Sequence, residues 1–274
     1  MRTRNGSMMH PSRSLNETVR TAIAVLALCG LAGVTGVQPA AADGAGSKQM
    51  FKAMTDYLAG QQAFSFNYDA TLDIVTTDMM KVGLASSGSL TLQRPDKARM
   101  TRTGVVDVEL TYDGKIVSAI GKNLNVYTKI PLEGSVDDMI ETLRFAYGVE
   151  APAADLLSAD AYEIMMENVT AGKDLGSGVI GGEVCNHLAF RTRDTDWEIW
   201  IADGEVPRPC RITITSRMMA MAPSYTVQIS DWKAGKDVAA DDFQLKTGDA
   251  KEVKIEEMPG LDDLAGLVEE GDAQ

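Results

Sequence analysis

CNHLAFRTRDTDWEIWIADGEVPRPCRITITS, residues 185–216, decides how this chain folds. Its centre, WEIWIA, alternates: Trp197, Ile199 and Ile201 point one way, Glu198 and Trp200 the other. That is the two-residue period of a strand with one buried face. The polar run Arg193–Asp196 before it and GEVPRP after it carry turn chemistry. Three strands with short connections make an antiparallel meander.

Working outward, the same pattern recurs on both sides. Upstream stand AFSFNYDATLDIV, GLASSGSLTLQ, ARMTRT, VVDVELTYDG, KIVSAIG and NVYTKI, with YDGK and IGKNLN as tight turns; downstream stands SYTVQISDW. Helical spacing is confined to a few places. Met50, Phe51, Met54, Tyr57 and Leu58 share a face after Ser47, an expected N-cap. Ser135 with Asp138 forms a capping box ahead of Val136, Met139, Ile140, Leu143 and Tyr147, and Gly148 ends that helix. SADAYEIMMENV carries Tyr162, Met165, Met166 and Val169 at similar spacing. Strands, then helices, then strands again predict an α+β fold: one sheet with helices on one face.

The ends concern export. Arg2, Arg4, Arg13 and Arg20 precede the apolar run Thr21–Val37, and Ala40 and Ala42 offer a cleavage pattern before Asp43. Residues 1–42 therefore read as a signal peptide rather than a membrane anchor. Leu28 ahead of Cys29 is too large for a lipoprotein signal. The leader holds four arginines and one glutamate, so residues 43–274 keep 22 basic and 38 acidic residues, net −16 against −13 for the whole chain. So acidic a surface argues against nucleic acid and anionic membranes as partners. His10 and Cys29 leave with the leader, and His187, Cys185 and Cys210 remain. The tail after Lys251 is acidic, with Leu261, Leu264 and Leu267 spaced for a short helix.

An even cysteine count in an exported chain favours a disulfide. Outer strands of a meander lie about 10 Å apart, beyond the reach of a disulfide. Counting back from the hairpin tip puts Cys185 opposite Gly204, past the expected end of the middle strand. There the chain can pinch, so a Cys185–Cys210 disulfide is expected to staple the 203–209 loop. Other chemistry fits poorly. Zinc would need Cys185, Cys210, His187 and a carboxylate to converge, without Cys-x-x-Cys or paired-His spacing. On one strand Cys185 and His187 sit about 6–7 Å apart, too far for a thiol–imidazole dyad. GSGVIG (176–181) matches Gly-x-Gly-x-x-Gly but a strand follows it, so its glycines read as turn residues. MMAMAP (218–223) raises Cu(I); the blander reading, a loop or an apolar lip, is preferred.

Several passages are familiar. GSLTLQRPDKARM (88–100) resembles the strand–Arg-Pro–strand passage of bacterial lipoprotein carriers of the LolA/LolB type. ELTYDGKIVSAIGKNLNVYTKI is similar to their next hairpins, and DFQLKTG to their closing Phe-containing strand. Residues 48–255 as a whole resemble a family of predicted bacterial periplasmic proteins of unknown function, most closely in YGVEAPAADLLSADAY and DTDWEIWIADGEVPRPCRITIT. The resemblance implies a strongly curved antiparallel sheet, a half-open barrel, with helices covering its concave face. It implies Arg94 as the latch of a helical lid. Thr91, where the carriers tend to have an aromatic residue, the cysteine pair and the acidic charge depart from their pattern.

The expected organisation is a leader (1–42), one carrier-like domain (43–255) and an acidic tail (256–274). The expected function is a monomeric, non-enzymatic periplasmic protein, not integral to the membrane and without metal or cofactor. It would hold a lipid, acyl chain or lipoprotein, with Arg94, Leu90, Leu92, Trp197 and Ile199 as ligand or lid candidates. The alternatives are an envelope sensor or assembly partner that binds a protein segment, and a hydrolase using His187.

Overall fold

The structure is a computed structural model and describes residues 44–149, 151–258 and 261. The leader expected at 1–42 and most of the tail lie outside the described residues. Helix α1 spans Gly44–Gly60. Six strands follow: β1 (Ala63–Val75), β2 (Lys81–Gln93), β3 (Lys97–Thr103), β4 (Val108–Tyr112), β5 (Ile116–Gly121) and β6 (Val126–Pro131). Then come α2 (Val136–Tyr147), a 3-10 turn (Ala154–Leu157) and α3 (Ala161–Met166). The second run is β7 (Ala171–Ile180), β8 (Glu183–Arg191), β9 (Thr195–Ala202), β10 (Pro209–Ser216) and β11 (Ser224–Ala234), with a short β12 (Lys251–Glu252).

All twelve strands form one curved, unclosed sheet in the order β12-β6-β5-β4-β3-β2-β1-β11-β10-β9-β8-β7. It consists of two meanders zipped together where β1 pairs antiparallel with β11, from Phe64 opposite Ala234 to Leu72 opposite Tyr225. Helix α1 precedes the first meander, α2 and α3 lie between the two in sequence, and together they cover the buried face. Phe51, Met54 and Leu58 of α1 pack with Leu188, Phe190, Trp197, Ile199 and Ile212. Val136, Met139 and Leu143 of α2 pack with Leu92, Leu110, Tyr112 and Val117.

Local chemistry accounts for the helix ends, with one correction. Ser135 and Asp138 form the expected capping box, and Gly148 closes α2 with φ 66°. Ser47 is not an N-cap. The helix begins three residues earlier, and the Ser47 hydroxyl donates back to the Gly44 carbonyl at 3.1 Å. Ser47 is fully buried because α1 lies close against β7, where only a glycine fits at 172: a Cβ there would sit 2.9 Å from Ser47 Oγ.

Strand β7 was hidden by its glycines. Gly176 and Gly178 belong to the strand rather than to a turn, and Gly181 and Gly182 make the turn into β8. A register shift between Asp174 and Ser177 absorbs Gly176 at φ 84°. DFQLKTG forms no strand: Phe243 is buried in a loop, and the late strand is β12, which pairs parallel with β6. This loop is strapped to the outer face of the sheet. Arg99 Nε and Nη2 donate to Asp241 at 2.6 and 2.9 Å, and Arg99 also pairs with Glu109.

The hydrogen bonds from Arg99 hold the Asp241 carboxyl below its ordinary value of 3.8. A carboxyl depressed in the folded state contributes stability above its unfolded value and loses it as pH falls through the folded value. Asp241→Asn should therefore cost about 2 kcal/mol at pH 7, the order of a hydrogen bond to a charged group. Melting curves of the two proteins should draw together as pH falls from about 3.8 through the lower folded value, where the wild-type carboxyl takes up its proton. A gap independent of pH would show that the strap is not electrostatic.

Cys185 and Cys210 are joined by a disulfide, with Cα atoms 7.0 Å apart. It reaches across β9. The β8–β9 tip closes earlier than expected, with Thr192 N–H on the Thr195 carbonyl, so Cys185 faces Ala202 rather than Gly204. The gap is narrowed by a bulge instead: Pro209 faces Ile201 and Arg211 faces Trp200, leaving Cys210 as the extra residue.

Candidate functional site

A cavity of about 130 Å³ lies inside the curve of the sheet, over the β1–β11 seam. Its walls are apolar: Phe64, Phe66, Leu90 and Met100 from one meander, Ile212, Val227, Ile229 and Trp232 from the other, and Leu58 from α1. Phe64, Phe66 and Trp232 stack along one wall, with centroids 5.1–6.3 Å apart. Polar side chains enter at Tyr68, Arg102 and Tyr225. The Tyr68 ring lies flat across β2 and its hydroxyl donates to the Thr101 carbonyl at 2.9 Å. Gly88 makes this possible, since a Cβ there would meet the ring at 2.7 Å.

Segment 151–157 roofs the cavity with Ala151, Pro152, Ala153, Ala154, Leu156 and Leu157. It is a short turn with few backbone bonds of its own, and it is held down by polar fastenings at its rim. Arg94 Nη2 donates to the Leu157 carbonyl at 2.8 Å, at the open end of the 3-10 turn. Arg144 of α2 donates to Asp155 at 2.7 Å. Asp137, also on α2, accepts from the Ala159 N–H at 3.2 Å. Burial lowers the proton affinity of the Arg94 guanidinium, and the nearby Asp137 carboxylate opposes that. Arg94 Nε is buried without a hydrogen-bond partner among the described residues.

The candidates from sequence separate into two groups. Leu90 lines the cavity and Arg94 reaches its roof. Leu92, Trp197 and Ile199 are packed in the solid core under the helices. His187 faces away from the cavity, since its neighbour Leu188 points into the core. Its Nε2 lies 2.7 Å from Glu198 Oε2, and its ring stacks on Trp200 at 4.0 Å. Trp232 escaped the sequence reading for a physical reason. It is out of step with Tyr225, Val227 and Ile229, and a register shift with Asp231 at φ 51° turns it inward.

Fold and site together define an α+β protein whose open, curved sheet encloses an apolar cavity under a fastened cover. The chain belongs to the family described as predicted periplasmic protein (DUF2092), which it matches over residues 47–256. Its compartment is the periplasm. No curated protein matches it. Solved structures similar to it include the Mycobacterium tuberculosis lipoprotein LppX, at 13% identity over 73% of this chain and 100% of that one, with a TM-score of 0.43. LprF from Mycobacterium bovis is 11% identical over 76% of this chain and 99% of that one, with a TM-score of 0.45. An uncharacterized conserved protein from Thermus thermophilus is 9% identical over 76% of this chain and 98% of that one, with a TM-score of 0.45. Likenesses at this level bear on neither ligand nor partner. No helix among the described residues is long and apolar enough to cross a membrane.

Proposed function

We propose that this protein is a non-enzymatic binding protein that holds an acyl chain, free or borne by a lipid or lipoprotein, between its curved sheet and the 151–157 cover. The observation that supports this most is the combination of apolar walls and an apolar roof pinned at its rim by polar contacts. Apolar pockets with few polar groups are the usual form of small-ligand sites, and at about 130 Å³ this one takes part of an acyl chain with the cover closed and the rest as the cover lifts. The cover can lift without breaking a strand: the Arg94, Arg144 and Asp137 contacts part, and Leu156 and Leu157 leave their apolar packing. In this reading Arg94 is a latch.

The test is binding of an apolar fluorescent fatty-acid probe to the purified protein, with native mass spectrometry of protein taken gently from the periplasm. Ile229→Trp fills the cavity and should weaken probe binding about tenfold or more, a loss of about 1.4 kcal/mol, at little change in melting temperature. Arg94→Ala should speed probe exchange while leaving the walls intact. Wild-type protein that carries no lipid and binds no probe would overturn the proposal.

A further inference from the structure

The two hairpin tips that flank the β1–β11 seam are both rich in methionine. The β1–β2 turn carries Met79 and Met80, and the β10–β11 turn carries Met218, Met219 and Met221. β1 pairs with β11 so that both turns project from the same end of the sheet, side by side. Asp73 ties them together: its Oδ2 accepts from the Ser224 hydroxyl at 2.8 Å and pairs with Lys81 at 3.3 Å. Each tip is also internally braced. Thr76 N–H donates to the Met80 carbonyl and Ala222 N–H to that of Met219, while Arg217 donates to the carbonyls of Thr192 and Arg193 on the neighbouring tip.

On these ordered turns the five methionines stand 49–67% exposed. The other methionines among the described residues, at 50, 54, 100, 139, 165, 166 and 258, are all buried or half-buried. Single exposed apolar residues need no explanation, but a cluster does. Core packing cannot account for side chains that touch no core. The tips carry no Leu, Ile, Val or Phe, so apolarity alone does not describe them either. What methionine has and those residues lack is a soft, polarizable thioether on a flexible stem.

We infer that the two tips together form a site for a soft monovalent cation of the Cu(I) or Ag(I) class, ligated by thioether sulfurs from both hairpins. Thioethers select such ions over hard ones. Cys185 and Cys210 are joined in a disulfide, so the thiolates that would otherwise compete are absent from the described chain. Thioethers are neutral at every pH, and the chain as a whole carries a net negative charge, which favours the approach of a cation. The site lies at the opposite end of the strands from Arg94, so it is separate from the proposed latch.

The experiment is a titration of the processed chain, residues 43–274, which lacks the Cys29 thiol of the leader, with Ag(I), followed by native mass spectrometry and by NMR of methionine methyl groups labelled with carbon-13. One bound ion should shift the methyls of Met79, Met80, Met218, Met219 and Met221 and leave the buried ones in place. Met→Leu keeps apolar volume and removes the sulfur. Met79→Leu/Met80→Leu should weaken Ag(I) binding about tenfold, and leucine at all five positions about a hundredfold. Both variants should melt like the wild type and bind the fatty-acid probe like it. Unchanged affinity in the five-leucine variant, or shifts at the buried methionines instead, would overturn the inference. So would vesicle binding by both wild type and five-leucine variant without Ag(I) binding, which would mark the tips as a membrane-contact lip.

Discussion

Phe51→Ala should destabilise the protein by about 3–5 kcal/mol, the largest effect expected of any single substitution here. Phe51 is fully buried at the centre of an aromatic cluster, with ring centroids 5.1 Å from Trp197, 5.6 Å from Phe190 and 5.9 Å from Tyr162. Its ring connects three elements: α1, the β8–β9 half of the sheet and α3. Removing it leaves a cavity between the helices and the sheet that β8 and β9 cannot close without losing their own pairing. Loss on this scale should lower the melting temperature by roughly 10 °C for a chain of this size. Leu58, further along α1, lines the apolar cavity, so fatty-acid binding should weaken as well. Phe145→Ala is the control: it is 75% exposed on α2 and should change stability by no more than about 0.5 kcal/mol. Equal effects from the two substitutions would mean that α1 is not the anchor of this half.

The second large effect is expected from Cys185→Ser/Cys210→Ser. A crosslink closing a chain separation of 25 residues limits the unfolded ensemble by about 3 kcal/mol. Denaturant unfolding of the double variant, and of wild type under reductant, should show the same loss. Alkylation without reductant should find no free thiol in the wild-type chain. If the variant matches wild type within about 0.5 kcal/mol, the bulge at Cys210 holds the strands unaided.

Much of this architecture was legible in the sequence because the signals were local. WEIWIA buries Trp197, Ile199 and Ile201 as its alternation requires, and the Ser135–Asp138 capping box starts α2 where it stands. Features that depend on long-range register were not legible. Nothing in AFSFNYDATLDIV says that it pairs with SYTVQISDW across most of the chain. Strand β7 reads as turn because its glycines suit a bulged strand as well as a loop. At the site, Leu90 and Arg94 could be found, the latter through a resemblance, whereas Leu92, Trp197 and Ile199 differ from cavity residues only in what lies above them. Trp232 lay beyond reach, since a single residue at positive φ reverses the face on which it is expected.

The seam between β1 and β11 also sets the timetable of folding. Each meander is a series of hairpins, which form locally within microseconds. The seam joins residue 64 to residue 234 and cannot close until nearly the entire chain has been delivered. Contacts so distant in sequence are the slow ones. Until they form, β1 and β11 are raw edges, open to pairing with another molecule. The cavity does not exist before that moment either, because its opposite walls belong to different halves. A chain emerging N-terminus first thus spends its most vulnerable interval with its first strand waiting for its last long one.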